Sequence, residues 1–451
     1  MPKLTAFKAY DVRGRMPDEI NEPLARDIGR AYAAFVKAKR VAVGYDIRLS
    51  SPGLAAALKE GLKDGGCDVL DIGLWGTEAV YYATFAGHLD GGIMVTASHN
   101  PPDYNGMKFV REDSRPISAD TGLKDMAALI ENGTLPPPVA KRGTEKPHDI
   151  RAGYLEHLLG YIDRSKLRKL KVVVNAGNGG AGLVVDQLQQ YLPFEFIKIN
   201  HAPDGTFPNG VPNPMLEENR AATTDAIRRS GADVGLAWDG DYDRCFFFDE
   251  EGTFIEGYYL VGLLAEVFLK REPGARIVHD PRLTWNTIDI VRRHGGEPVL
   301  CKSGHAFIKA KMREVDGAYG GEMSAHHYFR QFSYCDSGQI PWLLVLQTIC
   351  ERGKSLSQLV GERMRLFPAS GEINRHLSTD AKTVLAKVQK LYEKGAESID
   401  FTDGLSIEYQ DWRFNLRGSN TEPLVRLNVE SRGNEALMRE KTQELLALLD
   451  K

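Results

Sequence analysis

Residues 40–51 read RVAVGYDIRLSS, an apolar and β-branched run that ends in a turn near Asp46 and leads into a helical stretch. The same pattern returns twice, as KVVVNAGNGGAG over residues 171–182 and as ARIVHDPRLTW over residues 275–285. Short apolar runs that alternate with helical segments predict strand–helix–strand units built around buried sheets. The sequence therefore predicts an α/β fold with three similar domains.

A second strand follows each of these runs and ends in a polar loop that contains glycine. The three loops lie within GGIMVTASHNPPDYNG (91–106), ADVGLAWDGDYDRCFFF (232–248) and GAYGGEMSAHHYF (317–329). In open α/β sheets, ligands gather at loops beyond the carboxyl ends of the strands. We expect the three loops to converge from three domains on one composite site.

Three soft segments predict the domain boundaries. Residues 134–149, TLPPPVAKRGTEKPHD, are rich in proline and charge and are typical of a linker, and turns near 249–252 and 366–371 mark the other two. The predicted domains cover residues 1–145, 146–249, 250–366 and 367–451. The last one combines a helix over 380–394, three strand candidates and a C-terminal helix, which predicts a small α+β domain.

Composition and charge exclude several classes of protein. The 451 residues are 42% hydrophobic and 26% charged, as in ordinary globular chains of several domains. A net charge of −4 gives no general attraction for nucleic acid. The five cysteines include no CxxC pair, which argues against a disulfide framework or a thiolate zinc site and favours the cytoplasm. The longest apolar stretches, 258–269 and 340–350, are too short to span a bilayer and predict buried helices.

The loop VTASHNPPDYNGMK places Ser98 directly after a buried strand. The pairs Asn100-Pro101 and Asn105-Gly106 are expected to form turns that hold the serine at an exposed tip beside a histidine. A serine that hydrogen-bonds its own backbone is the commoner interpretation, and a nucleophile is the alternative. The absence of a G-x-S-x-G elbow argues against a hydrolase triad. Lys108, expected at the start of the next strand, is a candidate phosphate ligand.

Asp239, Asp241 and Asp243 alternate directly after the strand VGLAW. Alternate residues of an extended chain point the same way, and three carboxylates in one patch repel each other unless a hard cation binds them. Magnesium prefers such oxygen ligands. An EF-hand would need glycine where Arg244 stands, and the flanking segments predict strands. A solvated acidic turn is the remaining alternative, and Arg244 is a candidate to bind a phosphoryl oxygen.

Two further loops carry polar groups. Glu322, Ser324 and His326 alternate after a predicted strand and offer hydrogen bonds suited to vicinal hydroxyls, and His305 lies upstream in a loop that contains glycine. The segment RGSNTEP at 417–423 combines an arginine, hydroxyls and backbone amides, as a phosphate cradle does. An ordinary polar turn and a hairpin loop are the simpler alternatives for these two segments.

The motifs TASHNP, DGDYDR, GEMSAH and RGSNTEP, in this order, resemble the α-D-phosphohexomutase superfamily, and most closely its bacterial phosphomannomutase/phosphoglucomutase branch. The resemblance begins at KAYDVRG near the N-terminus and covers essentially the whole chain. It implies three similar α/β domains with mixed sheets plus a smaller C-terminal α+β domain, arranged around a central cleft. Tyr242 departs from the pattern, since many members have glycine there, and we expect its side chain to point away from the metal.

The resemblance also implies roles for the residues at matching positions. Ser98 would be the phosphorylated nucleophile, and an oxygen of its phosphate would join Asp239, Asp241 and Asp243 in binding Mg²⁺. The remaining catalytic contacts would come from Arg13, Lys108, Arg244 and His326. The substrate would be bound by His305, Glu322, Ser324, Arg417, Ser419, Asn420 and Thr421.

The activity that the resemblance implies is the reversible interconversion of hexose 1-phosphate and hexose 6-phosphate. A hexose 1,6-bisphosphate would be both intermediate and activator, and glucose or mannose the hexose. We expect a cytoplasmic monomer that binds phosphosugars and neither nucleic acid nor membrane. The alternatives are a phosphoglucosamine mutase, which Met323 argues against, a metal phosphatase, and a catalytically silent sugar-phosphate binding protein, which the intact Ser98 and aspartates argue against.

Overall fold

The computed structural model describes residues 4–377, 379–418 and 424–449, and these form two compact units. The first unit runs as far as Phe254 and also takes in Tyr328–Gly353, and the second comprises Ile255–His327 and the chain from Lys354 onward. The strands in chain order are β1 Val12–Arg15, β2 Arg40–Tyr45, β3 Asp68–Leu74, β4 Gly91–Val95, β5 Tyr104–Arg111, β6 Arg115–Pro116, β7 Glu145–Pro147, β8 Lys171–Asn175, β9 Glu195–Ile199, β10 Val234–Trp238, β11 Cys245–Phe248, β12 Phe254–Ile255, β13 Arg276–His279, β14 Glu297–Leu300, β15 Tyr319–Gly321, β16 His327–Phe329, β17 Cys335–Asp336, β18 Ile373–His376, β19 Ser398–Asp400, β20 Leu405–Glu408, β21 Trp412–Gly418 and β22 Leu424–Ser431.

The helices connect these strands. They are α1 Glu22–Val36, α2 Ser51–Asp64, α3 Thr77–Ala86, α4 Lys124–Glu131, α5 Arg151–Leu159, α6 Ala181–Leu188, α7 Ala221–Ser230, α8 Gly257–Arg271, α9 Trp285–Arg293, α10 His305–Glu314, α11 Ile340–Arg352, α12 Leu356–Leu366, α13 Ala381–Tyr392 and α14 Glu435–Leu449. The predicted buried helices are confirmed as α8 and α11, whose apolar residues are almost wholly buried. In the described part of the chain, no helix combines the length and the apolar character that a membrane crossing requires.

The first sheet of the first unit has the order β1-β5-β4-β2-β3-β7, with β6 beside β5. Strand β2 pairs in parallel with both β3 and β4, and β5 runs antiparallel to β4. The helices α1, α2 and α4 contribute apolar side chains to one core with these strands. Because β2 and β4 are parallel neighbours, the segments that leave their carboxyl ends, at Asp46 and at Thr96, start at the same edge of the sheet.

The second sheet of this unit places β11, β10, β8 and β9 side by side. Strand β8 is parallel to β9 and β10, and β10 is antiparallel to β11. The aspartate loop therefore joins two antiparallel strands. The strands on both sides confirm that this acidic loop is no EF-hand, in which helices flank the loop.

The second unit contains the parallel strands β14-β13-β15 and an antiparallel sheet in the order β18-β22-β21-β20-β19. The helices α13 and α14 pack their apolar residues against the antiparallel sheet and form a core with it. The predicted fold class is confirmed: α/β sheets come first and a smaller α+β domain follows.

Part of the predicted linker at 134–149 belongs to the first sheet: it contains the short strand β7, which pairs with β3 through Val69 and Glu145. Two local predictions from the sequence are wrong. Asn105-Gly106 forms no turn, because it lies inside β5 and pairs with β1. Lys108 consequently stands in the middle of β5 and not at its start.

Candidate active site

Ser98 lies in the loop between β4 and β5 and is buried, with 4% of its surface exposed. The predicted exposed tip is therefore wrong. Its backbone φ is +48°, a left-handed conformation that is uncommon for any residue but glycine. The backbone N–H of Ser98 donates to Thr96 Oγ1 at 2.9 Å, which fixes the turn locally. Strained backbone of this kind persists where the surroundings determine it and concentrates at functional sites.

The Ser98 hydroxyl meets groups from the aspartate loop. Its Oγ donates to Asp239 Oδ2 at 2.9 Å and lies 3.1 Å from Nδ1 of His99. Arg244 reaches the same Oγ with Nη2 at 3.5 Å. The predicted nucleophile, one predicted metal ligand and the predicted phosphoryl-binding arginine therefore meet at one atom.

The close approach of the two loops depends on Gly240. A Cβ at this position would lie 2.5 Å from the carbonyl oxygen of Ser98, well inside contact distance. The close approach of the serine loop therefore requires glycine at position 240, between the two aspartates of D-G-D.

Asp239, Asp241 and Asp243 are buried, and each offers a carboxylate oxygen within 4.8 Å of those of the other two. Among the described residues, Asp241 Oδ1 and Asp243 Oδ1 are buried without a hydrogen-bond partner. A buried carboxylate oxygen without a donor is costly, and a hard divalent cation is the ligand that such oxygens satisfy. The three aspartates therefore fit a divalent metal ion.

Two cations balance the three carboxylates. Lys108 Nζ donates to Asp241 Oδ2 at 2.7 Å and to Asp243 Oδ2 at 2.6 Å. Arg244 Nη2 pairs with Asp239 Oδ2 at 2.6 Å. One negative charge of the cluster is left over, which agrees with the fit for a cation.

These pairs decide the protonation states. Burial lowers the pKa of Lys108, but Asp241 and Asp243 outweigh burial and leave that pKa raised. Burial raises the pKa of Asp241, but the Lys108 charge outweighs it and leaves that pKa lowered. For Asp239, burial prevails over the Arg244 charge and raises the pKa to about 6. Lys108 therefore keeps its proton at neutral pH and acts as a cation.

His99 is neutral by the same reasoning. Burial and the Arg244 charge hold the pKa of His99 well below its usual range. Arg244 Nη2 lies 2.6 Å from His99 Nδ1, and an arginine can only donate. Nδ1 is therefore the acceptor nitrogen, and it is the one that faces the Ser98 hydroxyl.

Arg13 holds the far side of the serine loop. Its Nη1 donates to Asn100 Oδ1 at 2.6 Å, and its Nη2 pairs with Asp11 at 2.5 Å. Arg13, which lies in β1, thus connects that strand to the serine loop.

In the second unit, the predicted sugar-binding loop gathers around a buried arginine. Arg282 Nη2 lies 3.3 Å from Glu322 Oε1 and donates to Ser324 Oγ at 3.1 Å. Asp280 Oδ2 pairs with the same nitrogen at 2.7 Å and accepts from the backbone N–H of Met323 at 2.9 Å. Glu322 and Ser324, which alternate along the loop, therefore both contact one group, the guanidinium of Arg282.

The other predicted binding residues of the second unit are partly described. The rings of His305 and His326 are neighbours, with centroids 6.4 Å apart. Arg417 donates to Glu372 Oε2 at 3.1 Å. The predicted phosphate-cradle residues Ser419, Asn420 and Thr421 lie outside the described residues.

Comparison with known proteins gives matches along nearly the whole chain. Four phosphoglucomutase/phosphomannomutase family models match: alpha/beta/alpha domain I over residues 4–135, domain II over 152–252, domain III over 256–367, and the C-terminal domain over 372–447. The chain belongs to the phosphoglucomutase/phosphomannomutase family. It is accordingly a phosphohexomutase, an enzyme of the isomerase class.

Similar relatives support this membership. A phosphomannomutase of Escherichia coli is 58% identical over 456 residues, with 100% of both chains covered. A protein named phosphohexose mutases from Xanthomonas campestris pv. campestris is 58% identical over 449 residues, with 99% of both chains covered. Among solved structures, a phosphoglucomutase/phosphomannomutase family protein of Burkholderia thailandensis is 33% identical, with a TM-score of 0.90 and coverage of 100% of this chain and 98% of that one.

Tyr242, the departure from the family pattern, has a defined place. It is fully buried and has a φ of +45°, so this position keeps the backbone conformation that glycine adopts most readily. Its ring packs against Gly76 and Gly180, where a Cβ would lie 2.4 Å and 2.9 Å from Tyr242 Cε1. The large residue is accommodated by two small ones.

The supporting contacts of this phosphohexomutase include residues that the sequence did not single out. Thr77, at the start of α3, donates to Asp241 Oδ2 at 2.5 Å and orients that carboxylate. The next residue, Glu78, is fully buried and accepts from Tyr154, Ser337 and the backbone N–H of Gly338. Gly338 in turn accepts from Trp238 Nε1, one residue before the aspartate loop. A threonine and a glutamate that begin a helix carried no signal beyond helix capping.

Glu78→Gln is expected to flatten part of the pH dependence of stability. Burial raises the pKa of Glu78 to about 8, above its usual value of 4.5. Between these values the folded state binds more protons than the unfolded state, so the free energy of unfolding falls as pH rises. The variant should therefore gain stability relative to the wild type from about pH 5 to pH 8, measured by urea denaturation at several pH values. Glu156→Gln, at an exposed position on α5, is the control; equal pH dependence of wild type and Glu78→Gln would contradict the prediction.

Proposed function

We propose that the chain interconverts hexose 1-phosphate and hexose 6-phosphate, with glucose or mannose as the hexose. Phosphorylated Ser98 would transfer its phosphoryl group to the free hydroxyl of the substrate. The resulting hexose 1,6-bisphosphate would return its other phosphoryl group to Ser98, and added bisphosphate would activate unphosphorylated enzyme. The bond that forms and the bond that breaks are both phosphorus–oxygen bonds, so no co-reactant is consumed.

The observation that supports this route best is the contact between Ser98 Oγ and Asp239 Oδ2 at 2.9 Å. A phosphoryl group on this oxygen would stand beside the three buried carboxylates, where it would be repelled unless a cation lay between. We propose that Asp239, Asp241 and Asp243 hold Mg²⁺ there together with a phosphate oxygen. When bound, the ion neutralises charge on the transferring group.

Arg244 and Lys108 would supply the remaining positive charge. Phosphoryl transfer depends on positioning and on charge neutralisation at the equatorial oxygens. Arg244 is held by Asp239 with Nη2 3.5 Å from the serine oxygen, so it can follow that charge without reorganising. Lys108 keeps its proton and would act as an electrostatic group and not as a base.

Asp239 is the group placed to take the serine proton. Ser98 Oγ donates to Asp239 Oδ2 at 2.9 Å, whereas His99 Nδ1 already accepts from Arg244 Nη2 at 2.6 Å. In the step where Ser98 attacks the bisphosphate, Asp239 would take the hydroxyl proton, and in the reverse step it would return that proton. Arg13 would hold the loop through Asn100 while this occurs.

The second unit would supply the substrate contacts. We propose that Glu322 and Ser324 bind sugar hydroxyls with His305 and His326 beside them, and that Arg417 binds the phosphate that is not reacting. Ser419, Asn420 and Thr421 would complete that phosphate cradle. The four-domain division at 1–145, 146–249, 250–366 and 367–451 would give each loop its own domain. All these groups belong to one chain, so a monomer would suffice.

A coupled assay tests the proposed function. Purified enzyme is given glucose 1-phosphate or mannose 1-phosphate, Mg²⁺ and a trace of the matching 1,6-bisphosphate, and the 6-phosphate is measured. We expect turnover of both sugars, stimulation by the bisphosphate, and release of inorganic phosphate slower by about 10³-fold or more, because a mutase site must favour transfer over hydrolysis.

Three results would contradict it. Stoichiometric release of inorganic phosphate would indicate a phosphatase. Tight binding of phosphosugar without turnover would indicate a binding protein. Turnover of glucosamine phosphate in preference to both hexoses would indicate a phosphoglucosamine mutase.

A further inference from the structure

A single buried arginine binds the serine loop along most of its length. Arg48 Nη2 donates to the carbonyl oxygens of Ser98 at 2.9 Å and Asn100 at 2.6 Å. Its Nη1 donates to the carbonyl oxygens of Pro101 at 2.7 Å and Tyr104 at 2.9 Å. The guanidinium of Arg48 thus binds four backbone carbonyls between the end of β4 and the start of β5.

Arg48 is itself held on two sides. Asp46 Oδ1 accepts from the Arg48 backbone N–H at 3.0 Å and from Ser51 Oγ at 2.5 Å, and Asp46 Oδ2 lies 3.6 Å from Arg48 Nε. The ring of Phe207 lies 5.2 Å from the guanidinium carbon, within the range of a cation–π contact. Only 1% of the Arg48 side chain is exposed. A planar guanidinium that is fixed in this way can hold several carbonyls in one relative arrangement.

The same short pattern recurs in the second unit. Asp280-Pro281-Arg282-Leu283 follows β13 as Asp46-Ile47-Arg48-Leu49 follows β2, and both patterns read D-x-R-L. In each, the arginine backbone N–H donates to the aspartate two positions earlier, at 2.9 Å and 3.0 Å. Arg282 binds side chains of the loop at 322–324, whereas Arg48 binds only backbone of the serine loop. The repeat therefore places an arginine under a functional loop in both units.

We propose that Arg48 is a positioning residue that sets the conformation of the Ser98 loop for phosphoryl transfer. Its guanidinium holds the Ser98 carbonyl and so fixes the left-handed φ that aims the Ser98 hydroxyl at Asp239. The structure places no Arg48 nitrogen on the serine hydroxyl, so the arginine acts through the backbone. This inference rests on the proposed function, because its kinetic test measures the mutase reaction.

The test compares Arg48→Ala, Arg48→Lys and the wild type in the hexose 1-phosphate assay. Displacement of a reacting group by about 1 Å costs on the order of 10²-fold in rate. We therefore expect kcat to fall by about 10²-fold in Arg48→Ala while KM changes by less than about threefold. Arg48→Lys should recover little, because an ammonium group lacks the planar fork. Added guanidinium ion at low millimolar concentration should restore part of kcat in Arg48→Ala and none in Arg48→Lys.

Leu58→Ala is the control for lost stability. Leu58 is fully buried in the core of the same unit, and its truncation should lower the melting temperature without disturbing the serine loop. Hydrogen exchange of the amides at 96–106 gives a readout that does not need turnover, and it should accelerate in the Arg48 variants and not in Leu58→Ala. If Arg48→Ala does not fold, kcat and hydrogen exchange at 96–106 are both measured on Arg48→Lys.

The outcomes separate the two hypotheses. Inactive wild-type enzyme would overturn the proposed function, and unchanged exchange at 96–106 in the Arg48 variants would overturn the positioning role independently. The positioning role also fails if an Arg48 variant keeps its kcat within about twofold of an active wild type. It fails likewise if Leu58→Ala, with the same melting temperature as the Arg48 variant, loses as much kcat.

Discussion

Ser98→Ala is expected to lower kcat for hexose 1-phosphate by at least about 10⁴-fold, because the phosphoryl group loses the only oxygen that receives it in the proposed route. The Ser98 hydroxyl is the atom on which Asp239, His99 and Arg244 converge, at 2.9, 3.1 and 3.5 Å. Removing one small hydroxyl leaves these groups in place, so substrate binding should persist. Turnover is followed by the coupled assay and phosphosugar binding by calorimetry.

The control for this variant is Ser230→Ala. Ser230 lies in the same unit, and its hydroxyl donates to a backbone carbonyl of its own helix at 2.7 Å. Full activity in Ser230→Ala and none in Ser98→Ala would assign the effect to the hydroxyl of Ser98. A Ser98→Ala enzyme that keeps more than about a tenth of its kcat would remove the nucleophile from the mechanism.

Asp241→Asn is expected to weaken Mg²⁺ binding by about tenfold or more and to lower kcat by about 10³-fold. Asp241 Oδ1 is one of the two oxygens of the aspartate cluster that are buried without a hydrogen-bond donor among the described residues, and Oδ2 accepts from Thr77 and Lys108. Asparagine keeps the shape of the side chain but removes the charge that both the ion and Lys108 require. Metal affinity is measured by titration calorimetry and kcat at saturating Mg²⁺.

Asp233→Asn provides the comparison, since Asp233 directly precedes β10, the strand that leads into the aspartate loop, and its Oδ2 accepts from the backbone N–H of Lys171 at 2.7 Å. Removal of divalent metal with a chelator should abolish turnover of the wild type, and Mg²⁺ should restore it. Undiminished turnover after complete chelation would contradict a role for the ion, and normal Mg²⁺ affinity in Asp241→Asn would exclude this carboxylate as a ligand.

The fold could be predicted from local sequence patterns because each pattern has one physical cause. Buried parallel strands must be apolar on both faces, which is why VAVG, VVV and RIVH identified β2, β8 and β13. The strand β7 was missed because three residues, Glu145–Pro147, carry no apolar alternation and are fixed by pairing with β3 alone. The turn predicted at Asn105-Gly106 was wrong for the opposite reason. This dipeptide usually forms a turn, but pairing with β1 holds it in an extended conformation.

The site could be predicted from the sequence where its chemistry requires several functional residues close together in the chain. Three alternating aspartates indicate a cation site in any fold. The structure brings Ser98 and Lys108 to them, although both lie more than a hundred positions away in the sequence. The burial of Ser98 was not predictable, because it results from packing between two domains of the first unit. Arg48, Thr77 and Glu78 were missed because their roles arise from contacts with backbone and with distant residues. The recurrence of D-x-R-L in DIRLSS and DPRLTW was the one signal that could have indicated Arg48.

The location of the phosphoryl group during turnover tests the role of Ser98 most directly. Enzyme is incubated with hexose 1,6-bisphosphate labelled at phosphorus, separated from free sugar, and digested for peptide mass spectrometry. We expect label on Ser98 alone, and its transfer to added hexose 6-phosphate in a single turnover when Mg²⁺ is present. Label on another residue, or turnover by an enzyme that never carries label on Ser98, would contradict this role.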